Sequence, residues 1–353
     1  MVVEKDIVAI SIPFSAGVIT AALLPPGGDA LYWAAAGSSL AAAGLLLSLW
    51  RCGDRTAAAL SLFFLLGFCT SAAAVLGFRP PRAADEPASG LLRAIERAGF
   101  PHASTTALLR ALLAGRRDAL SDGTVAAFRA AGASHLLALS GLHLGILYGI
   151  VQRPLTLLLG RSRAATGVRS AVCIGAAAAY LTLTGTRPSL MRAFLFICLG
   201  ELSRLLPGRR RRLLQVLCAA LTLQLCLDPT VVGSLGFQLS YLAMLGIALL
   251  YPRLEAWYPA GSRWDPMRRL WRATALTLSC QAFTAPLVWV RFHSFPKYFL
   301  LTNLCALPLT EGFLICSLPA VLFPGLCPEG IKKLADLLGQ CLLSFVSTVA
   351  SIA

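Results

Sequence analysis

The sequence predicts an all-α protein, a polytopic integral membrane bundle of about eleven transmembrane helices. Three observations carry that expectation. Of the 353 residues, 57% are hydrophobic and 13% charged, where soluble domains average about 25% charged. Mean hydropathy is +0.73. Three early stretches, Ile7–Gly28, Ala30–Trp50 and Thr56–Phe78, contain no Asp, Glu, Lys or Arg. Each can cross a hydrocarbon core about 30 Å thick as one helix. Comparable windows recur to the end of the chain, which argues against buried helices of a large soluble core.

These three stretches make residues 1–78 an N-terminal group of spans. Residues 79–129 differ: after a Pro/Ala/Asp/Glu turn region, leucines alternate with arginines at helical spacing, as in Leu91–Arg97 and Leu108–Arg117. That pattern predicts amphipathic, extracytoplasmic helices lying on a membrane face. Residues 130–353 hold the remaining spans, expected near 132–152, 170–186, 188–206, 213–228, 233–252, 273–290, 298–323 and 334–352. Pro308 and Glu311 interrupt the long 298–323 stretch, so a kinked or broken helix is expected there.

Lys+Arg total 31 against 16 Asp+Glu, a net charge of +15. Nearly all of the basic residues are arginines, which suit anionic headgroups and, through two-point contacts, phosphate. Arginines follow the second, fourth, sixth and eighth spans (Arg51, Arg153, Arg161, Arg163, Arg169, Arg204, Arg253 and Arg268 among them), whereas the loop after the fifth carries Arg187 alone. By the positive-inside rule the N-terminus is cytoplasmic. The arginine-rich 79–129 segment, placed outside by the same alternation, conflicts with that rule. The 11 cysteines lie mostly in apolar segments with no C-x-x-C, where cysteine acts as a small hydrophobe. Neither a metal site nor a cofactor is expected.

The most informative stretch runs from His135 through Ser140-Gly141-Leu142-His143 to Gly145 and Gly149. Helical residues advance about 100° each, so Gly141, Gly145 and Gly149 share a ridge suited to close helix packing. His135 and His143 lie about 80° apart on the side away from that ridge. Ionisable groups at membrane depth usually mark a pathway. Next comes Gly185-Thr-Arg187-Pro188-Ser189-Leu190-Met191-Arg192-Ala193. Pro188 suits a first helical turn. Arg192 falls inside the span, where an arginine in lipid costs about 2.5–3.5 kcal/mol, so it should meet water, an acid or a phosphate. Gln238 and Ser240 flank another span start and Gln281, Asn303 and Glu311 are further polar candidates. Each of these serves equally well as pathway lining or as helix glue. Glu201 and Arg204, three apart, are expected to pair.

The sequence has no G-x-x-x-x-G-K-[ST] loop, no H-E-x-x-H and no G-x-S-x-G around Ser140, so neither an ATPase motor nor a common hydrolase signature is present. Ser140 beside His143 leaves an intramembrane hydrolase as one alternative, and a small-molecule or lipid transporter as another.

Taken together, His135-Leu-Leu-Ala-Leu-Ser-Gly-Leu-His143, Gly185-Thr-Arg-Pro-Ser-Leu-Met-Arg192 and Asp228-Pro…Gly236-Phe-Gln-Leu-Ser240 resemble the ComEC competence family. Arg291-Phe-His-Ser-Phe-Pro, Leu301-Thr-Asn303-Leu-Cys-Ala-Leu-Pro308 and Gly115-Arg-Arg fit as well. The resemblance implies that 130–353 is a competence-type channel domain in a bacterial inner membrane, passing single-stranded DNA to the cytoplasm in natural transformation. His135, Ser140, His143, Arg187, Arg192, Gln238, Ser240, Gln281 and Asn303 would line the path. Arginines of 79–129 would add cations, and Phe237, Tyr241, Phe292 and Phe295 stacking surfaces. Fuller members carry an OB-like and a metallo-β-lactamase-like domain, neither of which is expected in this chain. Membrane lipids, a separate nuclease, an outer DNA-binding protein and a cytoplasmic ATPase are the implied partners, and a homo-oligomer stays open.

Overall fold

The structure, a computed structural model, describes residues 2–23, 55–75, 89–138, 141–160, 162–185, 187–205, 213–259, 265–293 and 297–352. The second expected span, Ala30–Trp50, lies outside the described residues. Among the described residues every regular element is helical. The chain opens with α1 (Val2–Ala22) and α2 (Arg55–Val75). The short helices α3 (Ser89–Arg97), α4 (Ala103–Ala114), α5 (Asp122–Ala130) and α6 (Ser134–Leu137) follow. Then come α7 (Gly141–Leu159), α8 (Arg163–Thr184), α9 (Pro188–Leu205) and α10 (Leu213–Leu227). A 3-10 turn (Pro229–Gly233) leads into α11 (Leu235–Leu249) and α12 (Tyr251–Ala256). The last helices are α13 (Pro266–Phe292), α14 (Phe299–Leu322) and α15 (Glu329–Ile352).

Six described stretches are long and apolar enough to cross a membrane: α7, α8, α11 continued through α12, α13, α14 and α15. Shorter apolar helices, including Ile7–Ala22 and Leu213–Leu227, supplement them. The protein is thus an all-α membrane bundle. Its boundaries differ from expectation at three places, each for a local reason. The histidine span divides: Ala138 is extended (φ −77°, ψ 127°) after the four-residue α6, and the long helix starts at Gly141. α8 starts early because the Ser162 hydroxyl accepts from the Ala165 amide at 3.1 Å, a side-chain N-cap. Arg169 is therefore inside a span rather than in a loop; it is buried and donates to Thr156 and Thr166 at 3.5 Å each. Finally, α14 runs unbroken through both Pro308 and Pro319. Thr310 and Ser317 back-bond to carbonyls four residues earlier at 2.7 Å, and a proline is tolerated within a helix that packs along a neighbour, here α15.

The described residues form two compact units. The first, from Met1–Ala83 and Leu195–Ala248, is built on a backbone crossing of α1 and α2. A Cβ on Gly17 would lie 2.1 Å from the Phe64 carbonyl oxygen, and one on Gly67 2.0 Å from that of Phe14. Only hydrogen fits at either position. α10 joins them through polar contacts: Thr222 donates to the Ser11 hydroxyl at 2.8 Å, which is shared between the Ile7 carbonyl (2.7 Å) and the Cys218 carbonyl (3.2 Å). Phe14, Val18, Leu217, Leu225, Phe237 and Tyr241 fill the interior. Glu201 is buried and pairs with Arg204 at 2.7 Å, as its spacing predicts.

The second unit holds Ala84–Phe194 and Leu249–Ala353. Its core joins Ile95, Leu108, Leu112, Phe128 and Leu136 to Phe313, Leu342 and Val346 of the last two helices. α4 is not a surface-lying amphipath. Thr105, Leu108, Leu109, Ala111, Leu112 and Leu113 are all buried, because α3, α6 and α15 pack around it. The Asp336 carboxylate on α15 fixes the start of α4, accepting from Thr105 Oγ1 at 2.6 Å and lying 2.6 Å from His102 Nδ1.

Candidate functional site

In the second unit, the start of α7 and the start of α9 supply the first group of candidate side chains. Pro188 occupies the first position of α9, where its fixed φ favours helix and no amide is missed. One turn on, Arg192 is directed back into protein rather than into lipid. Its exposure is 9% and that of His143 is 2%. A Cβ on Gly141 would sit 3.2 Å from Arg192 Nη2 and 3.1 Å from Ala193 Cβ, so α7 passes close to the guanidinium at this glycine. A buried cation held this way is stable only if surrounding dipoles, water or an anion solvate it.

A second cationic group is formed by residues far apart in sequence. α4 ends at Gly115, which is left-handed (φ 67°), with the Gly115 and Arg116 amides donating to the Ala111 and Arg110 carbonyls. This ending is the glycine-dependent αL cap that closes many helices. Arg187 lies over that glycine: an added Cβ would be 2.9 Å from its Nη1. Tyr180, buried on α8, donates to the Leu113 carbonyl at 2.9 Å and ties the two elements together. Arg117 donates through Nε to the Leu137 carbonyl at 3.2 Å. Partial burial, then the like charges of Arg187 and Arg129, lower the pKa of Arg117 from the ordinary value, although an arginine stays protonated at any physiological pH. The nearby acids are engaged elsewhere, Asp118 and Glu96 lying 3.4 and 3.9 Å from Arg110. Among the described residues, no carboxylate pairs with Arg117, Arg129 or Arg187.

The other expected path residues separate into distinct environments. His135 stands apart from α7 on the short α6, exposed, with Nδ1 3.2 Å from the Gly132 carbonyl. Ser140 and Phe295 lie outside the described residues. Gln238 and Ser240 belong to the first unit, where Gln238 Nε2 donates to the Val232 carbonyl at 2.8 Å and so braces the 3-10 turn. Gln281 and Asn303 are half-buried in the second unit, and the Asn303 Oδ1 atom is buried with no donor among the described residues. The glycine ridge is not a continuous seam: a side chain on Gly145 or Gly149 would meet open space. Phe237 and Tyr241 are not available for stacking on bases. Their rings pack on each other at 4.6 Å, and Tyr241 donates to Gln224 Oε1 at 2.9 Å inside the first core. Phe292, by contrast, is exposed.

The sequence marks Arg187 and, through Gly115-Arg-Arg, Arg117, whereas Arg129 is one arginine among several in 79–129. The Gly115-Arg-Arg tripeptide was the available signal, since a glycine closing a leucine-rich helix fixes where the next arginines emerge.

Residues 112–353 match the model of the family described as Competence protein. A stretch of 217 residues, 61% of this chain, is 27% identical to ComE operon protein 3 of Bacillus subtilis (strain 168). The aligned part covers 26% of that relative's length, so this chain corresponds to about a quarter of it. No solved structure matches. With more than half of its length within the family model, the chain belongs to the Competence protein family.

Proposed function

We propose that the protein is an inner-membrane channel subunit through which single-stranded DNA enters the cytoplasm during natural transformation. The observation that carries this reading is the inward burial of Arg192 and His143 at exposures of 9% and 2%, in a chain whose family is defined by competence. A strand crossing a bilayer needs cations along its phosphates and protection from lipid, and these two residues are held away from the lipid. In this reading the N-terminus is cytoplasmic, and residues 79–129 and Arg187 face outward, where DNA arrives. The sequence has no G-x-x-x-x-G-K-[ST] loop. Degradation of the second strand, delivery of DNA at the outer face and the driving force are assigned to a nuclease, an outer DNA-binding protein and a cytoplasmic ATPase as partners.

The test is transformation of cells carrying His143→Ala or Arg192→Ala, with Arg192→Lys as the conservative variant and membrane levels measured by immunoblot. Losing charge-assisted contacts worth roughly 3 kcal/mol corresponds to about a hundredfold fall in transformation. Arg192→Lys should retain part of the activity. Wild-type transformation by both alanine variants, present in the membrane at normal levels, would remove these residues from the path.

A further inference from the structure

We propose that Arg117, Arg129 and Arg187 form a phosphodiester-binding site that receives the incoming strand before it reaches Arg192; this rests on the channel reading above. Three cations held together are unfavourable unless something compensates them. Glu96 and Asp118 lie 3.9 and 3.4 Å from Arg110, and among the described residues no carboxylate forms an ion pair with any of the three. The fold nonetheless positions Arg187 and Arg117, and Arg129 is near enough for its charge to act on Arg117. Gly115 leaves room for the Arg187 guanidinium, the Leu137 carbonyl holds Arg117 Nε, and Tyr180 anchors the end of α4. Guanidinium groups gathered on one face are complementary to phosphate oxygens, which accept paired N–H donors.

The site also accounts for the charge conflict in the sequence. Because Arg187 touches Gly115, the loop after α8 and the end of α4 lie on one side of the membrane. Loop alternation puts both on the outer side, where arginine is disfavoured by the positive-inside rule. A polyanionic substrate arriving at that face supplies the reason for arginine there. An anionic lipid headgroup presents the same phosphate chemistry, and the test below separates the two sources.

The experiment measures binding of a fluorescent single-stranded oligonucleotide to the full chain in nanodiscs, across a salt series. It compares wild type, Arg117→Ala/Arg129→Ala, Arg187→Ala and the control Arg97→Ala, an exposed arginine of α3 outside the group. In zwitterionic nanodiscs the double variant should bind at least about tenfold more weakly. Its slope of log affinity against log salt should be smaller by about 1.4, two phosphate contacts at roughly 0.7 each. Arg187→Ala should weaken binding in the same direction, and Arg97→Ala should match wild type. Arg117 and Arg129 are exposed, so the double variant is expected to fold, and thermal melting in the same discs checks this. Unchanged oligonucleotide affinity in a folded double variant overturns the proposal. So does a variant that loses only its preference for discs containing phosphatidylglycerol, which would make this a lipid site. Transformation of a deletion strain separates the two levels: if deletion abolishes transformation while the triad variants transform and bind normally, the triad fails and the channel stands. Normal transformation by the deletion strain refutes both.

Discussion

Gly17→Leu and Gly67→Leu, each made alone, should separate α1 from α2 and lower the stability of the purified chain by more than about 3 kcal/mol. The reason is the crossing itself. At these two positions the added Cβ would lie 2.1 and 2.0 Å from a carbonyl oxygen of the opposite helix, and what stands in the way is backbone, which cannot rotate aside. Helices in lipid gain little from hydrophobic burial against each other, so close backbone contact is a main source of their association. Forcing the axes apart also strains the Ser11 link to α10, made by Thr222 at 2.8 Å. Thermal unfolding in detergent reads the effect. Gly145→Leu is the control, because a side chain there meets open space, and its melting temperature should stay near wild type. Equal melting of Gly17→Leu and wild type would show that the crossing is not as close as described.

Asp336→Ala should cost about 2 kcal/mol, chiefly from the buried Thr105 hydroxyl left without its acceptor and the lost brace at the start of α4. His102 occupies the N-cap position of α4, but its side chain makes no capping bond to that helix. Asp336, brought in from α15, performs the task. Its Oδ1 accepts from Thr105 Oγ1 at 2.6 Å and from the His102 amide at 3.3 Å, and its Oδ2 lies 2.6 Å from His102 Nδ1. Gln340 extends the network, donating to Ser104 at 2.8 Å. In a double-mutant cycle with Thr105→Val, a coupling of roughly 1–2 kcal/mol is expected. Additive effects would mean the two side chains do not interact. Since α4 ends at Gly115, beneath Arg187, loosening its start should also weaken oligonucleotide binding, by less than direct removal of Arg117 and Arg129.

What the sequence made legible, and what it did not, divides along the range of the interactions. Apolar windows without charge identify the long helices because length against bilayer thickness is a local property. Pro188 and Glu201–Arg204 were readable for the same reason: a first-turn proline and an i,i+3 pair depend on neighbours within one turn. The glycine spacing at 141, 145 and 149 was a weaker guide. Close approach occurs at Gly141 but not at the other two, while the tightest crossing uses Gly17 and Gly67, isolated glycines on helices distant in sequence. A lone glycine in an apolar helix was the only trace they left. Gln238, Phe237 and Tyr241 look like pathway residues in sequence because they are polar or aromatic near a span start. Their hydrogen bonds and ring packing instead close the first core. Arg187 meets the end of α4 some 70 positions earlier and Asp336 meets Thr105 231 positions earlier, and such pairings follow from packing rather than from any pattern along the chain.

The most direct test of the channel reading is uptake of a labelled single-stranded oligonucleotide by membrane vesicles prepared from competent cells with and without this chain. Nuclease-protected label should accumulate only when the chain is present, and should decline with Arg192→Ala. Equal accumulation in vesicles lacking the chain would contradict the account.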